Sequence, residues 1–315
     1  MSLVFMGTPD YALPVLEALV STGQAVAGVY TQPDRPAGRG RLLTPPPVKT
    51  CAQKHGLPVF QPASLRRAEA IEELAALAPE LIVVAAYGKI LPPAVLAIPT
   101  RGVLNIHPSL LPRHRGPSPV VTALLEGEAV TGVTVMRLDE GMDTGDIVAQ
   151  REAAVRPGET AGDLTLRLFS LGAELLLEVL PEWMKGEITP RPQEAERATI
   201  TRRYTKEDGE IDWALPALSL ERRLRAFTPW PGCYTRWQGK LLKVLEGVRV
   251  EAPAASEGGP GRVVAAGQGS PSPVGVVTGQ GLLGLLRVQL EGSRPLSAEE
   301  FVRGYPGFLS ARLPS

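Results

Sequence analysis

Two rhythms of apolar and polar positions divide the chain. Up to about residue 190, short apolar runs at 2–6, 25–31, 57–61, 80–87 and 102–107 have the length of strands. Between them, apolar residues recur three and four positions apart. Leu13, Leu16, Leu19 and Val20 make one helical face, with Pro14 early in the helix where its missing N–H costs nothing. Ile71, Leu74 and Leu77 make another within 65–77. Helices are also expected over 48–55, 118–125 and 164–184, with a helical turn at 95–98. The run 80–87 is apolar without alternation, as in a strand covered on both faces. By contrast, 132–138 alternates, which fits an edge or antiparallel strand, and 147–154 is the next strand. Strand and helix in steady succession predict an α/β fold built from right-handed βαβ units.

Beyond residue 186 the pattern changes. Residues 186–204 have little periodicity and much charge, with Pro190 and Pro192, and read as a linker. A helix over 218–227 is followed by short strands at 232–237, 240–250, 262–266, 275–278 and 281–290, separated by glycine-rich turns. Five short strands with tight turns predict a small β-barrel. The expected division is 1–189, a linker at 190–205, and 206–315.

Composition narrows the class without choosing a ligand. With 315 residues, 44% hydrophobic and 21% charged, the chain has room for two cored domains. Its formal net charge is zero, so global charge names no partner. Cys51 and Cys233 are too far apart in sequence for a metal motif or a disulfide framework, which points to a reducing compartment. The apolar run at the amino terminus is too short for a signal peptide, and the longest, 81–87, is far below a membrane span. A cytoplasmic enzyme or binding protein, expected to be a monomer, remains.

Chemistry concentrates at one strand end. If the strand over 102–107 continues to His107, Asn105 and His107 project from the same face, with Ile106 on the other. Pro108 then ends the strand. Asn105 is the only asparagine in the chain, so its survival beside a histidine suggests that its carboxamide is used. A carboxamide can donate an N–H to a developing alkoxide, and an imidazole can move a proton near neutral pH. The carboxylate best placed in sequence to orient that imidazole is Asp143, in the glycine-flanked loop after the next strand. The acids at 139, 143 and 146 lack the spacing of a calcium loop, and no metal is implied. Ser109 has no nucleophile elbow around it, so direct acyl transfer fits better than a covalent enzyme intermediate. Neither G-x-G-x-x-G nor G-x-x-x-x-G-K-[ST] occurs, which leaves dinucleotide and P-loop binding unsupported. The segment 32–49 holds Arg35, Arg39, Arg41 and Lys49 among glycines and prolines. It is either a cover for an anionic substrate or a solvated surface loop.

The run Asn105-Ile106-His107-Pro108-Ser109-Leu110-Leu111-Pro112, followed by Arg115-Gly116, resembles the signature of folate-dependent formyltransferases. Asp139 to Ile147 resembles the family's second segment. Other likenesses lie at Val4 to Pro9, Gly38-Arg39-Gly40, Tyr87 to Pro92, Tyr204 to Gly209 and Arg225 to Gly232, the last two pointing to a branch that acts on tRNA. The resemblance implies a Rossmann-like domain with a mostly parallel sheet, over 1–189, and an OB-like barrel over 206–315 that helps hold tRNA. It implies 10-formyltetrahydrofolate as formyl donor and initiator Met-tRNA as acceptor. Asn105, His107 and Asp143 would be catalytic. Tyr87, Gly88, Ile90, Leu91, Pro92, Ser109, Leu110, Leu111, Pro112 and Asp139 would line the folate pocket. Arg35, Arg39, Arg41 and Lys206 would meet the tRNA, which moves the 32–49 loop toward function. The amino-terminal signature leaves open a nucleotide, an amino sugar or water as acceptor, and a non-catalytic binding protein. The carboxyl-terminal strands argue against a single-domain enzyme, and less against a sugar enzyme with a small second domain.

Overall fold

The structure, a computed structural model, describes residues 2–37, 42–250, 258–267 and 269–314. The chain forms two compact units. The first gathers Met1–Pro119, Ala129–Val155 and Leu164–Thr201, and the second Val120–Glu128, Arg156–Asp163 and Arg202–Ser315.

In chain order the first elements are β1 (Leu3–Gly7), α1 (Leu13–Ser21), β2 (Val26–Tyr30), β3 (Arg35–Ala37), β4 (Leu42–Thr44), α2 (Pro47–Lys54) and β5 (Val59–Phe60). Next come α3 (Ala68–Ala76), β6 (Leu81–Ala85), α4 (Pro93–Leu96), β7 (Val103–His107), α5 (Pro119–Glu126), β8 (Val130–Arg137), β9 (Ile147–Ala154) and α6 (Ala161–Lys185). Seven strands form one sheet in the order β5-β2-β1-β6-β7-β8-β9. The first five run parallel, and β8 and β9 are antiparallel. This is the mostly parallel α/β sheet that the alternating rhythm predicts. Strand β8 is antiparallel to both neighbours and so lies inside the sheet, which leaves β9 at the edge.

Strands buried on both faces explain the unbroken apolar runs. Leu3, Phe5, Leu81, Val83, Leu104 and Ile106 turn to one side, where Leu16, Phe169, Leu176 and Trp183 cover them. Val4, Met6, Ile82, Val84 and Val103 turn to the other, against Leu74, Leu91 and Val95. A Cβ on Gly172 of α6 would lie 2.4 Å from Cγ2 of Ile106, so the helix backbone sits directly on β7. The short pair β3–β4 within 32–49 has no counterpart in the sequence reading, because three-residue strands carry no measurable periodicity.

The second unit contains α7 (Ala217–Ala226), β10 (Cys233–Trp237), β11 (Lys240–Val250), β12 (Val263–Ala265), β13 (Val274–Val277), β14 (Leu282–Leu290), β15 (Leu296–Ser297) and α8 (Ala298–Gly304). Its antiparallel sheet runs β10-β11-β14-β13-β12, with β15 added on β14. Register shifts in β11 around Glu246 add local twist, which curls the long strand and gives the sheet its OB-like form. At Gly247 a Cβ would come within 2.8 Å of Leu224, so α7 packs there against bare backbone. Trp237, Phe301, Tyr305 and Phe308 form an aromatic cluster with centroids 4.8 to 5.7 Å apart. Helix α8 carries a capping box between Ser297 and Glu300. Among the described residues, no helix is long and apolar enough to cross a membrane.

Candidate functional site

Strand β7 is held from both sides. Asn105 stands opposite Val84 of β6 and Met136 of β8, and His107 opposite Thr134. Ile106 is buried on the α6 side, which leaves Asn105 and His107 on the opposite face, as strand alternation requires. Asn105 is half-buried and His107 is buried.

Two loops meet at the imidazole. Nε2 of His107 lies 3.0 Å from the carbonyl oxygen of His114. Because a carbonyl can only accept, Nε2 carries the proton and the neutral ring keeps its lone pair on Nδ1. Nδ1 lies 3.7 Å from Oδ2 of Asp143. Burial lowers the affinity of His107 for a proton, and Asp143 and the His114 carbonyl oppose that shift only in part. The ring is thus neutral at neutral pH, with a carboxylate beside the nitrogen that would receive a proton.

Both loops are stiffly built. Asp143 has φ +53°, in the left-handed region, and its Oδ2 accepts the Gly116 N–H at 2.7 Å. Asp139 closes the base of this loop by accepting the Gly141 N–H and the Thr144 hydroxyl. Its oxygens are therefore committed within the loop. In the other loop His114 has φ +59°. Ser109 is buried and donates its hydroxyl to the Arg113 carbonyl at 2.7 Å, which is a structural task and not that of a nucleophile. Thr134 accepts the Leu111 N–H (3.1 Å) and donates to the Ser109 carbonyl (2.6 Å). Gln150 on β9 donates to the Leu111 carbonyl and to Thr134. The sequence pattern singles out neither residue, and the signal it offers is Thr134, a hydroxyl between Val133 and Val135 in the alternating 132–138 strand.

A third loop completes the neighbourhood. The Tyr87 carbonyl accepts from Thr8 at 2.9 Å and Gln32 at 3.1 Å, and Gly88 takes φ +79°. Lys89 donates to the Pro62 and Ala63 carbonyls. Ile90 is exposed, Leu91 is buried and Pro92 precedes α4. Leu138 packs against the cluster holding Tyr87 and Leu91 and against that holding Leu111, Met136 and Ile147. Leu138, next to Asp139, therefore lies between the cluster that holds Tyr87 and Leu91 and the one that holds Leu111. Beside it is a cavity of about 440 Å³ lined by Leu96, Val103, Leu138, Asp139 and Asp146, among others. That volume is within the range of small-molecule sites. Its lining sets Leu96, Val103 and Leu138 beside the charged Arg137, Glu140 and Asp146, an apolar face with polar groups for a small heterocycle. Of the residues expected to bind folate, Asp139 lines this cavity. Leu110 lies against Gly132, where a Cβ would meet it at 2.5 Å, and Pro112 accepts from the Thr199 N–H.

Of the basic residues, Arg35 is exposed on β3 and donates to Gln32 at 3.3 Å. Arg39 and Arg41 lie outside the described residues. Lys206 is exposed in the second unit, near Arg202, which pairs with Asp208 and lies 4.3 Å over the Tyr204 ring.

Comparison with known proteins places this geometry. Residues 1–180 match the formyl transferase family, and residues 203–306 match the formyl transferase C-terminal domain. A methionyl-tRNA formyltransferase of Chloroflexus aurantiacus is 52% identical over 305 residues, 96% of this chain and 97% of that protein. One from Myxococcus xanthus is 46% identical over 303 residues, 96% of this chain and 95% of that protein. Among solved structures, HypX from Aquifex aeolicus in complex with tetrahydrofolic acid aligns with TM-score 0.64 and 19% identity, over 96% of this chain and 46% of that one. WlaRD, a sugar 3N-formyl transferase, aligns with TM-score 0.64 and 14% identity, over 93% of this chain and 99% of that one. At these identities the structures speak for the fold alone, whereas the full-length relatives speak for the family. The chain belongs to the formyl transferase family, among the methionyl-tRNA formyltransferases.

Proposed function

We propose that this protein transfers the formyl group of 10-formyltetrahydrofolate to the α-amine of methionine on initiator tRNA, giving formyl-Met-tRNA for translation initiation. The observation that carries the reading is His107, buried beside Asn105 with Asp143 at one ring nitrogen and a carbonyl at the other, in a chain whose full-length relatives share that name. The folate supplies an activated formyl carbon, with N10 as leaving group. The neutral amine attacks that carbon. Asn105 donates its carboxamide N–H to the oxygen as negative charge gathers there. His107 takes the proton shed by the amine at Nδ1, where Asp143 stabilises the imidazolium, and returns it to N10 as tetrahydrofolate departs.

Tyr87, Gly88, Ile90, Leu91 and Pro92, with Ser109 to Pro112 and Asp139, border the folate, largely through backbone groups. Arg35, Arg39, Arg41 and Lys206 meet tRNA phosphates or end-bases. Residues 1–189 carry the chemistry and 206–315 help to hold the RNA. The protein acts as a cytoplasmic monomer without a metal.

The test is one incubation with 10-formyltetrahydrofolate and equimolar Met-tRNA, free methionine and a sugar amine, read by mass spectrometry. Formyl is expected on Met-tRNA. Formyl on the sugar amine would keep the chemistry and overturn the acceptor, and no transfer would overturn both.

A further inference from the structure

Gln193 belongs to neither matched segment, since those end at residue 180 and resume at 203. It nevertheless joins the two loops that flank His107. Its Nε2 donates to the carbonyl oxygens of Asp143 (2.9 Å) and Gly145 (2.7 Å). Its Oε1 accepts from Nε of Arg115 at 3.0 Å. Arg115 follows His114, whose carbonyl takes the Nε2 proton of His107. Asp143, whose backbone Gln193 grips, presents Oδ2 to Nδ1 of the same ring. One carboxamide therefore ties together the supports of both ring nitrogens. Its own position is fixed nearby: Arg191 exchanges both backbone hydrogen bonds with Ile147 at the start of β9, and Thr199 holds the Arg115 backbone and the His114 N–H. Asp143 and His114 both adopt positive φ, a conformation that persists only where surrounding bonds impose it. The Gln193 clamp supplies two such bonds to the Asp143 loop.

We propose that Gln193 is a positioning residue for formyl transfer, locking the Asp143 loop to the Arg115 loop so that His107 receives and returns its proton in a fixed orientation. This rests on the functional reading above. The charged and titratable groups facing His107 are Asp143 and His114, and Gln193 acts through the loops that carry them. Replacing Gln193 with Met keeps the length and removes the three hydrogen bonds.

Gln193→Met is expected to lower kcat by about 10- to 100-fold, with KM for the formyl donor and for Met-tRNA changed less than about threefold, because a half-buried hydrogen-bond clamp orients the catalytic group and touches neither substrate. The acid limb of its kcat–pH profile moves to lower pH, since a displaced Asp143 supports the imidazolium less. Nitrogen NMR follows the ring directly, as the chain has only three histidines, His55, His107 and His114. The His107 ring signals shift while those of His55 stay in place. Gln193→Asn keeps the polar groups on a shorter arm, and it provides the same readouts if Gln193→Met does not fold. Asp143→Asn separates the two levels. If it leaves kcat unchanged, the functional reading itself fails. If Asp143→Asn is impaired while the Gln193 variant keeps its kcat, pH profile and His107 signals, only the positioning role of Gln193 fails.

Discussion

The two units use polar groups in opposite ways. In the first, buried polarity gathers around one strand end: His107, Ser109, His114 and Thr134 are all buried there and bonded to one another's loops. Two of its non-glycine residues with positive φ, His114 and Asp143, support the same ring. In the second, Trp237, Phe301, Tyr305 and Phe308 close an apolar centre, and the buried polar residues include the hydroxyls of Thr235, Ser272 and Thr278. In the first unit a strained backbone and a buried histidine coincide at one site, whereas the second, which also buries Glu159 and holds Gln238 and Ser310 at positive φ, contains no histidine.

The largest contrast is kinetic. His107→Ala is expected to lower kcat by about 10²- to 10⁴-fold, the scale of a lost proton-transfer group. Asn105→Ala is expected to lower it by about 10²- to 10³-fold, the scale of a lost oxyanion donor. Single-turnover assays at saturating folate and Met-tRNA, with circular dichroism as the folding control, measure both. Wild-type turnover in Asn105→Ala would remove the carboxamide from the mechanism.

Next comes a pure stability effect. Trp237→Ala is expected to cost about 3–5 kcal/mol in urea unfolding, as for other buried aromatic truncations. The acid limb of its kcat–pH profile should stay where it is in the wild type. A shifted limb would show that the aromatic cluster influences the proton chemistry, and the contrast would break.

Paired hydroxyl deletions sharpen the comparison. Thr134→Val leaves the Leu111 N–H and the Ser109 carbonyl without their partner, at about 1–3 kcal/mol, and it should also lower kcat. Thr235→Val removes only a 3.4 Å contact with the Trp213 indole, at about 0.5–1.5 kcal/mol, with kcat unchanged. Equal kinetic effects would deny that the first unit's polar network is special.

The smallest effect is in pH. Burial lowers the affinity of His107 for a proton in the folded state, below that of an unfolded histidine. Above about pH 6.5 both states are neutral and this residue contributes no pH dependence. As pH falls below that value the unfolded chain takes up the proton first, so stability falls toward acid. Turnover falls with it, because the amine and the ring both become protonated. Comparing urea unfolding of the wild type with that of His107→Gln at pH 7 and pH 5 isolates the contribution. A difference that does not change with pH would mean that the ring is not held neutral.

Much of this was legible in the sequence, for identifiable reasons. The parallel strands are buried on both faces, so 80–87 announces itself as an apolar run, and strand alternation places Asn105 with His107 and turns Ile106 away. Asp143 was named from its glycine-flanked loop, and the structure sets it beside Nδ1 of His107. What escaped was short or non-local. The β3–β4 pair is too brief for periodicity. Helix α8 was missed although Ser297-Ala298-Glu299-Glu300 spells a capping box. Gln193 sits in a stretch with no rhythm, and its partners are 48 to 78 positions away, a pairing that only folding reveals.

The single asparagine has a consequence for how this protein ages. Asparagine decays when the backbone N–H of the following residue swings round to attack its side chain, a reaction that needs a loose chain. Here the following residue is the buried, β-branched Ile106, in a strand paired on both sides. The chain's one asparagine clock is thus stopped by the strand that presents it, and any asparagine deamidation found in an old preparation would report loss of Asn105 and of nothing else.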